Sequence, residues 1–158
     1  MRADGGLLRI AVACDHGGYP LKQTILETIS SLGFEALDLG TDSSESVDYP
    51  DFVLKLGRVL KNKEAQRGIL VCGSGVGACI AANKMRGIYA GVCHDTYSAH
   101  QGVEHDRMNV LCLGARIIGA EVARDLVKAF LGAEFMPEER HVRRTEKVRQ
   151  IESEQGLT

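Results

Sequence analysis

The chain has 158 residues, 44% hydrophobic and 25% charged, with a net charge of −2, which is enough apolar sequence for one substantial core and one domain over 1–158. The near-neutral balance offers no general pull toward nucleic acid, and no apolar run reaches the roughly 18–20 residues that cross a bilayer. The five cysteines (Cys14, Cys72, Cys79, Cys93, Cys112) are odd in number and contain no C-x-x-C pair, which suits free thiols in a reducing cytoplasm.

Residues 1–7 have no apolar stretch behind a basic start, so they read as a frayed lead-in and not a secretory signal. Strand signals then alternate with amphipathic helices. LRIAVAC (8–14) predicts a strand buried on both faces. Pro20 suits the first turn of a helix that stops at Gly33. A second strand over 34–39 leads to the polar loop 40–48, and Asp48-Tyr49-Pro50 opens a helix to about 63. Strand 68–72 is followed by helix 76–85, strand 88–93 by a helix from Asp95 to about 104, and strand 109–113 by helix 118–131. Past Pro137 a charged stretch, 138–158, reads as a tail helix with one weak apolar face at Val148 and Ile151. This alternation predicts βαβ units, a five-stranded parallel sheet and an α/β fold. In such sheets ligands sit at the carboxyl ends of the strands. That singles out Asp15-His16, Gly40-Thr41, 73–77, His94-Asp95 and 114–116.

The loop Cys72-Gly73-Ser74-Gly75-Val76-Gly77 is the most informative of these. Three glycines in five residues allow close backbone approach and positive φ, and successive amides at a helix start form a cradle for an anion. Two nucleotide readings compete. Gly73-x-Gly75-x-x-Ala78, with Asp95 about 20 residues on, fits the dinucleotide fingerprint, but that fingerprint belongs in the first βα turn and two units precede it here. A Walker loop fails because no Gly-Lys-Ser/Thr follows, and a cysteine-phosphatase loop fails because Ala78 stands where its arginine is needed. Cys72 lies at the N-terminal end of a helix, where the dipole favours thiolate. A thiolate beside amide donors can attack a carbonyl, or take a proton from carbon while the donors hold an enediolate.

Cys14-Asp15-His16-Gly17-Gly18, Asp48-Tyr49-Pro50, the segment GILVCGSGVGACIAANKMRGIYAGVCHDTYSA (68–99), His105 with Asn109-Val110, and Gly114-Ala115-Arg116-Ile117-Ile118-Gly119 together resemble type B ribose-5-phosphate isomerase. Its family also holds the galactose-6-phosphate and allose-6-phosphate isomerases. The resemblance runs from about 9 to 151. It implies a Rossmann-like three-layer α/β/α sandwich, working as a homodimer or dimer of dimers. The implied activity is metal-free and cofactor-free interconversion of ribose 5-phosphate and ribulose 5-phosphate, a step of the pentose phosphate pathway, with a hexose 6-phosphate as the alternative substrate. On this resemblance Cys72 is the base that moves a proton between C1 and C2. Ser74 and the amides of Gly73, Gly75, Val76 and Gly77 hold the cis-enediolate. Asp15 binds sugar hydroxyls, His105 assists ring opening, and His16 lies near the phosphate. Asp106 and Asn109 line the substrate, and Tyr49 either lines it too or packs at the start of its Tyr-Pro helix. Arg140 and Arg144 match the family's phosphate arginines, and they or His105 reach a neighbouring subunit's site.

The spacing of Arg140 and Arg144 at i, i+4 agrees with that role, since it puts both guanidiniums on one helix face. One departure is Asp106, where some members carry Asn directly after the histidine; an ionised Asp can only accept hydrogen bonds. Arg107 in the same turn is a second. No H-x-H or H-x-x-x-H pair exists, so no metal site is expected. His94 and His100 read as surface or hydrogen-bonded histidines, and Cys79 and Cys93 as core.

Overall fold

The computed structural model describes residues 8–154; the 1–7 lead-in and the last four residues of the expected tail lie outside them. Five parallel strands alternate with helices in chain order: β1 (Arg9–Cys14), α1 (Tyr19–Ser31), β2 (Glu35–Asp38), α2 (Tyr49–Lys61), β3 (Arg67–Cys72), α3 (Val76–Ala82), β4 (Ala90–Val92), α4 (Thr96–Asp106), β5 (Val110–Gly114), α5 (Ala120–Gly132) and α6 (Glu139–Glu154). The sheet order is β2-β1-β3-β5-β4.

The uniform apolar character of β1 follows from its position. Ile10, Val12 and Cys14 pack beneath α1, α4 and α5, while Ala11 and Ala13 face α2 and α3 on the other side. The two helical layers bury opposite faces of one sheet, which is the α/β sandwich expected from the alternation.

Two boundaries differ from expectation for a local reason. Helix α3 stops at Ala82 rather than near 85, and β4 is confined to Ala90–Val92. The Asn83 side chain accepts from the Ala90 amide (2.8 Å) and donates to the Ala90 carbonyl (2.9 Å). It thereby competes with helix continuation and draws the chain into the edge strand.

From β1 the chain moves to β2 on one side, then recrosses to β3 on the other. The loops after β1 and β3 therefore part at their carboxyl ends and leave a crevice between them. In contrast, α4 runs back from the carboxyl end of β4 to the amino end of β5. Its last turn, which holds His105, thus lies at the opposite end of the sheet from Cys72. Helix α6 lies along α4, with His141 and Thr145 buried, and the Gly87 amide donates to Glu152 at 2.6 Å.

Candidate active site

Cys72 is the last residue of β3 and is only 6% exposed. The Gly75 amide donates to its Sγ at 3.0 Å. That geometry needs Gly75, whose φ of +83° is left-handed and where a Cβ would sit 3.1 Å from the Leu113 carbonyl carbon. Ser74 is exposed, and its Oγ accepts from the Val76 amide at 3.3 Å.

The loop after β1 closes against this nest. The Asp15 amide donates to Val71 O (3.2 Å), and the Asp15 carboxylate accepts from Gly18 N (2.9 Å). Gly18 must be glycine, because a Cβ there would lie 2.0 Å from Val71 O. Asp15 is buried at 8% exposure. His16 Nδ1 accepts from the Val47 amide at 3.2 Å, which ties the 40–48 loop to the site and leaves Nε2 as the ring's donor. Tyr49, at the start of α2, lays its ring over Gly77: a Cβ there would be 2.9 Å from Tyr49 Cζ.

Asp15, Tyr49, Cys72, Gly73, Ser74 and Gly77 line one pocket of about 320 Å³ together with Arg116 and Ile117. Arg116 belongs to the 114–116 loop that its place at a strand's carboxyl end singles out, but the sequence assigns it no role. Its amide donates to Gly73 O at 3.0 Å, and its guanidinium lies 3.5 Å from where a Gly73 Cβ would be. A cation therefore sits at the mouth of the nest. Two wider grooves, of about 590 and 600 Å³, flank the α4–α6 region and contain no cysteine.

The remaining candidates are not brought to this pocket within one chain. His105 stacks on His141 (centroids 4.1 Å apart) and its Nδ1 is 2.8 Å from Gln101 Nε2. Asp106 ends the same helix, exposed. Asn109 donates to Gly87 O and accepts from Tyr89 N, both at 2.8 Å. Its amide is thus engaged in the loop before β4, away from the Cys72 pocket. Arg140 and Arg144 are exposed on α6, with Arg140 paired to Glu138 at 2.9 Å.

The dinucleotide reading loses its acidic residue, since Asp95 caps α4 by accepting from Ser98 N at 2.7 Å. His94 accepts from Gly114 N (3.0 Å) and His100 pairs with Glu104 (3.2 Å). Cys93 is core as expected, but Cys79 is only half-buried. Among the described residues no group of three or more His, Cys, Asp or Glu is placed to hold a metal ion, and no helix is long and apolar enough to cross a membrane.

A thiol, a carboxylate and a glycine nest meeting at the switch point of a parallel sheet define a small-molecule enzyme site in the α/β class. Comparison with known proteins narrows the class. The chain belongs to the ribose/galactose isomerase family, whose model matches residues 10–148. It is 43% identical over 144 residues to ribose-5-phosphate isomerase B of Escherichia coli K12, covering 91% of this chain and 96% of that one. It is 42% identical over 130 residues to D-erythrulose-4-phosphate isomerase of Pectobacterium atrosepticum, covering 82% and 86%. The structure of ribose-5-phosphate isomerase B from Mycoplasma genitalium with bound ribulose-5-phosphate superposes with a TM-score of 0.85 at 38% identity, covering 93% of this chain and 97% of that one.

Proposed function

We propose that this protein is an aldose–ketose isomerase acting on ribose 5-phosphate and ribulose 5-phosphate, with Cys72 as the carbon base. One observation carries the reading: the Cys72 sulfur lies beside the amides of 73–77 in a pocket that also holds Asp15, Ser74 and Arg116. Cys72 takes the proton from C2 of the open-chain aldose, and the resulting charge moves onto O1, where the nest amides and Ser74 meet it. As a proton passes from the 2-hydroxyl to O1, Cys72 returns its own to C1 and the ketose forms. Asp15 holds sugar hydroxyls and fixes the chain in the cis arrangement. No metal and no cofactor enters this scheme, which belongs to the pentose phosphate pathway in a reducing cytoplasm; all five thiols are free.

The working unit is a homodimer or a dimer of dimers with shared sites. His105 lies at the far end of the sheet from Cys72 of its own chain, so its ring-opening role, with Asp106 beside it, is exercised in a second copy's pocket. Arg140, Arg144, Val148 and Ile151 follow one another at steps of four, four and three along α6, which makes one stripe. Val148 is 48% and Ile151 59% exposed. At the Cys72 end Val76, Ile80, Tyr97 and Ile117 are exposed as well, an apolar surface suited to receive that stripe. The two arginines then bind the phosphate from the second copy, opposite His16 and Arg116 of the first. This remote binding energy holds the sugar in reactive geometry.

The relative that acts on D-erythrulose 4-phosphate makes sugar length the point to test. Turnover is compared for ribose 5-phosphate, erythrulose 4-phosphate, allose 6-phosphate and galactose 6-phosphate. Highest kcat/KM on ribose 5-phosphate is expected, and a poorer rate there than on any of the others overturns the substrate assignment.

A further inference from the structure

A second cysteine on the helix behind the nest has no part in this chemistry. Cys79 projects from the flank of α3 toward β4, and as a thiol it donates to the Ala90 carbonyl at 3.4 Å. In the sheet register Ala90 pairs with Val110 and Val92 with Cys112. The Cys79 sulfur therefore lies over the same stretch of sheet from which Cys112 points up. The inward residues of α3 are Ala78 and Ala82, both fully buried, and their small side chains let the helix sit close to the strands. Cys79 is half-buried, whereas Cys112 is wholly enclosed.

We propose that Cys79 and Cys112 form an oxidisable thiol pair, in which Cys79 attacks a hydroperoxide that arrives from outside and Cys112 resolves the product to a disulfide joining α3 to β5. The electrostatics suit this division of labour. Cys79 packs against the buried cluster that contains Cys112, and the influence of the Cys112 thiol, with the Val92 backbone and the Asn83 side chain, lowers the Cys79 pKa to about 7 despite burial. The neighbouring Cys79, together with burial, raises the Cys112 thiol well above its ordinary value. A half-buried thiol that ionises readily, beside a protonated resolving thiol, is the arrangement of a redox-sensitive cysteine.

In the first step the Cys79 thiolate attacks a peroxide oxygen. The S–O bond forms, the O–O bond breaks, sulfur gives up two electrons, and the peroxide leaves as water or an alcohol after taking a proton. In the second step Cys112 gives up its proton and attacks the Cys79 sulfur. The S–S bond forms, and the hydroxide that departs takes that proton as water. Two thiols and one hydroperoxide thus give one disulfide, one alcohol or water, and one water.

The test treats the whole chain with hydrogen peroxide, alkylates the remaining thiols, digests with trypsin and reads the products by mass spectrometry. Cleavage after Arg67, Lys84, Arg107 and Arg116 puts Cys72 and Cys79 on peptide 68–84 and Cys112 on peptide 108–116. The expected product is these two peptides linked, two hydrogens lighter than their sum and separated again by a reducing agent. The link persists in Cys72→Ala and is lost in Cys79→Ser, a change at a half-buried site that the fold tolerates. In Cys112→Ala, Cys79 is expected to stop at the sulfenic acid and be trapped by dimedone. A link that survives Cys79→Ser and vanishes in Cys72→Ala overturns the proposal, as does the absence of any linked peptide when Cys79 remains freely alkylated. None of these readouts depends on turnover, so failure here is separable from failure of the isomerase assignment.

Discussion

His105 stacks on His141, ring centroids 4.1 Å apart and planes at 26°, at the end of the sheet opposite Cys72. His141 is buried at 1% exposure and its Nδ1 lies 3.1 Å from Met136 O. The pair joins the last turn of α4 to the first turn of α6, the helix that carries the tail arginines. Loss of the stack in His141→Ala is expected to lower kcat several-fold while leaving the Cys72 pocket of the same chain intact.

The proposed sharing of sites between two copies makes a sharper prediction. Cys72→Ala and His105→Ala homodimers are each expected to be nearly inactive. After subunit exchange, half of the dimers are hybrids, and each hybrid has one site with both residues intact. Mixed in equal amounts, the two variants should therefore recover about a quarter of wild-type activity, as symmetric pairing requires. Steady-state turnover before and after mixing reads this directly, and no recovery after proven exchange would mean that each site is complete within one chain.

Cys72→Ala alone separates chemistry from binding. Loss of a positioned proton-transfer group costs about 10²–10⁴-fold in rate, and the phosphate contacts remain. Turnover should collapse while calorimetric binding of the sugar phosphate changes little. Retained turnover would remove Cys72 from the role of base.

Glycine substitutions distinguish packing from function. In Gly18→Ala the new methyl would lie 2.0 Å from Val71 O, a backbone atom, and the overpacking should cost about 3 kcal/mol or more, measured by urea denaturation. In Gly77→Ala the clash is 2.9 Å with Tyr49 Cζ, and an exposed ring can turn aside. The expected result there is a raised KM with nearly unchanged stability.

Lys22 supplies a pH signature. Burial opposes its charge, but hydrogen bonds to Asp42 (2.8 Å) and Asp38 (2.9 Å) outweigh this and hold its pKa above 10.5. The same bond holds Asp42 below 3.8. The lysine's contribution to stability is whole below its unfolded pKa and fades as pH rises through the higher folded one. The Asp42 contribution is present above the unfolded carboxylate value and fades as pH falls through the lower folded one. The Tm gap between wild type and Lys22→Met should therefore be flat through neutrality and narrow at both extremes. A gap independent of pH at both ends would show that packing alone, not charge, is lost.

The sequence by itself determined the alternation of strands and helices, the buried character of β1 and β3, the glycine nest and the placing of Cys72 at its head. These are written in local periodicity and in turn chemistry spanning a few residues, where each residue's backbone preference points the same way. Boundaries slipped where one side chain reached outside its own element, as Asn83 does to Ala90. Only the tertiary structure decided the strand order that sets Asp15 beside the nest, the guanidinium of Arg116 against Gly73, the tie of Lys22 to two aspartates, and the separation of His105 from Cys72. Each of these joins residues far apart in the chain through contacts that leave no periodic trace. They follow from where the crossovers carry the elements, and that is settled by packing both faces of one sheet at once.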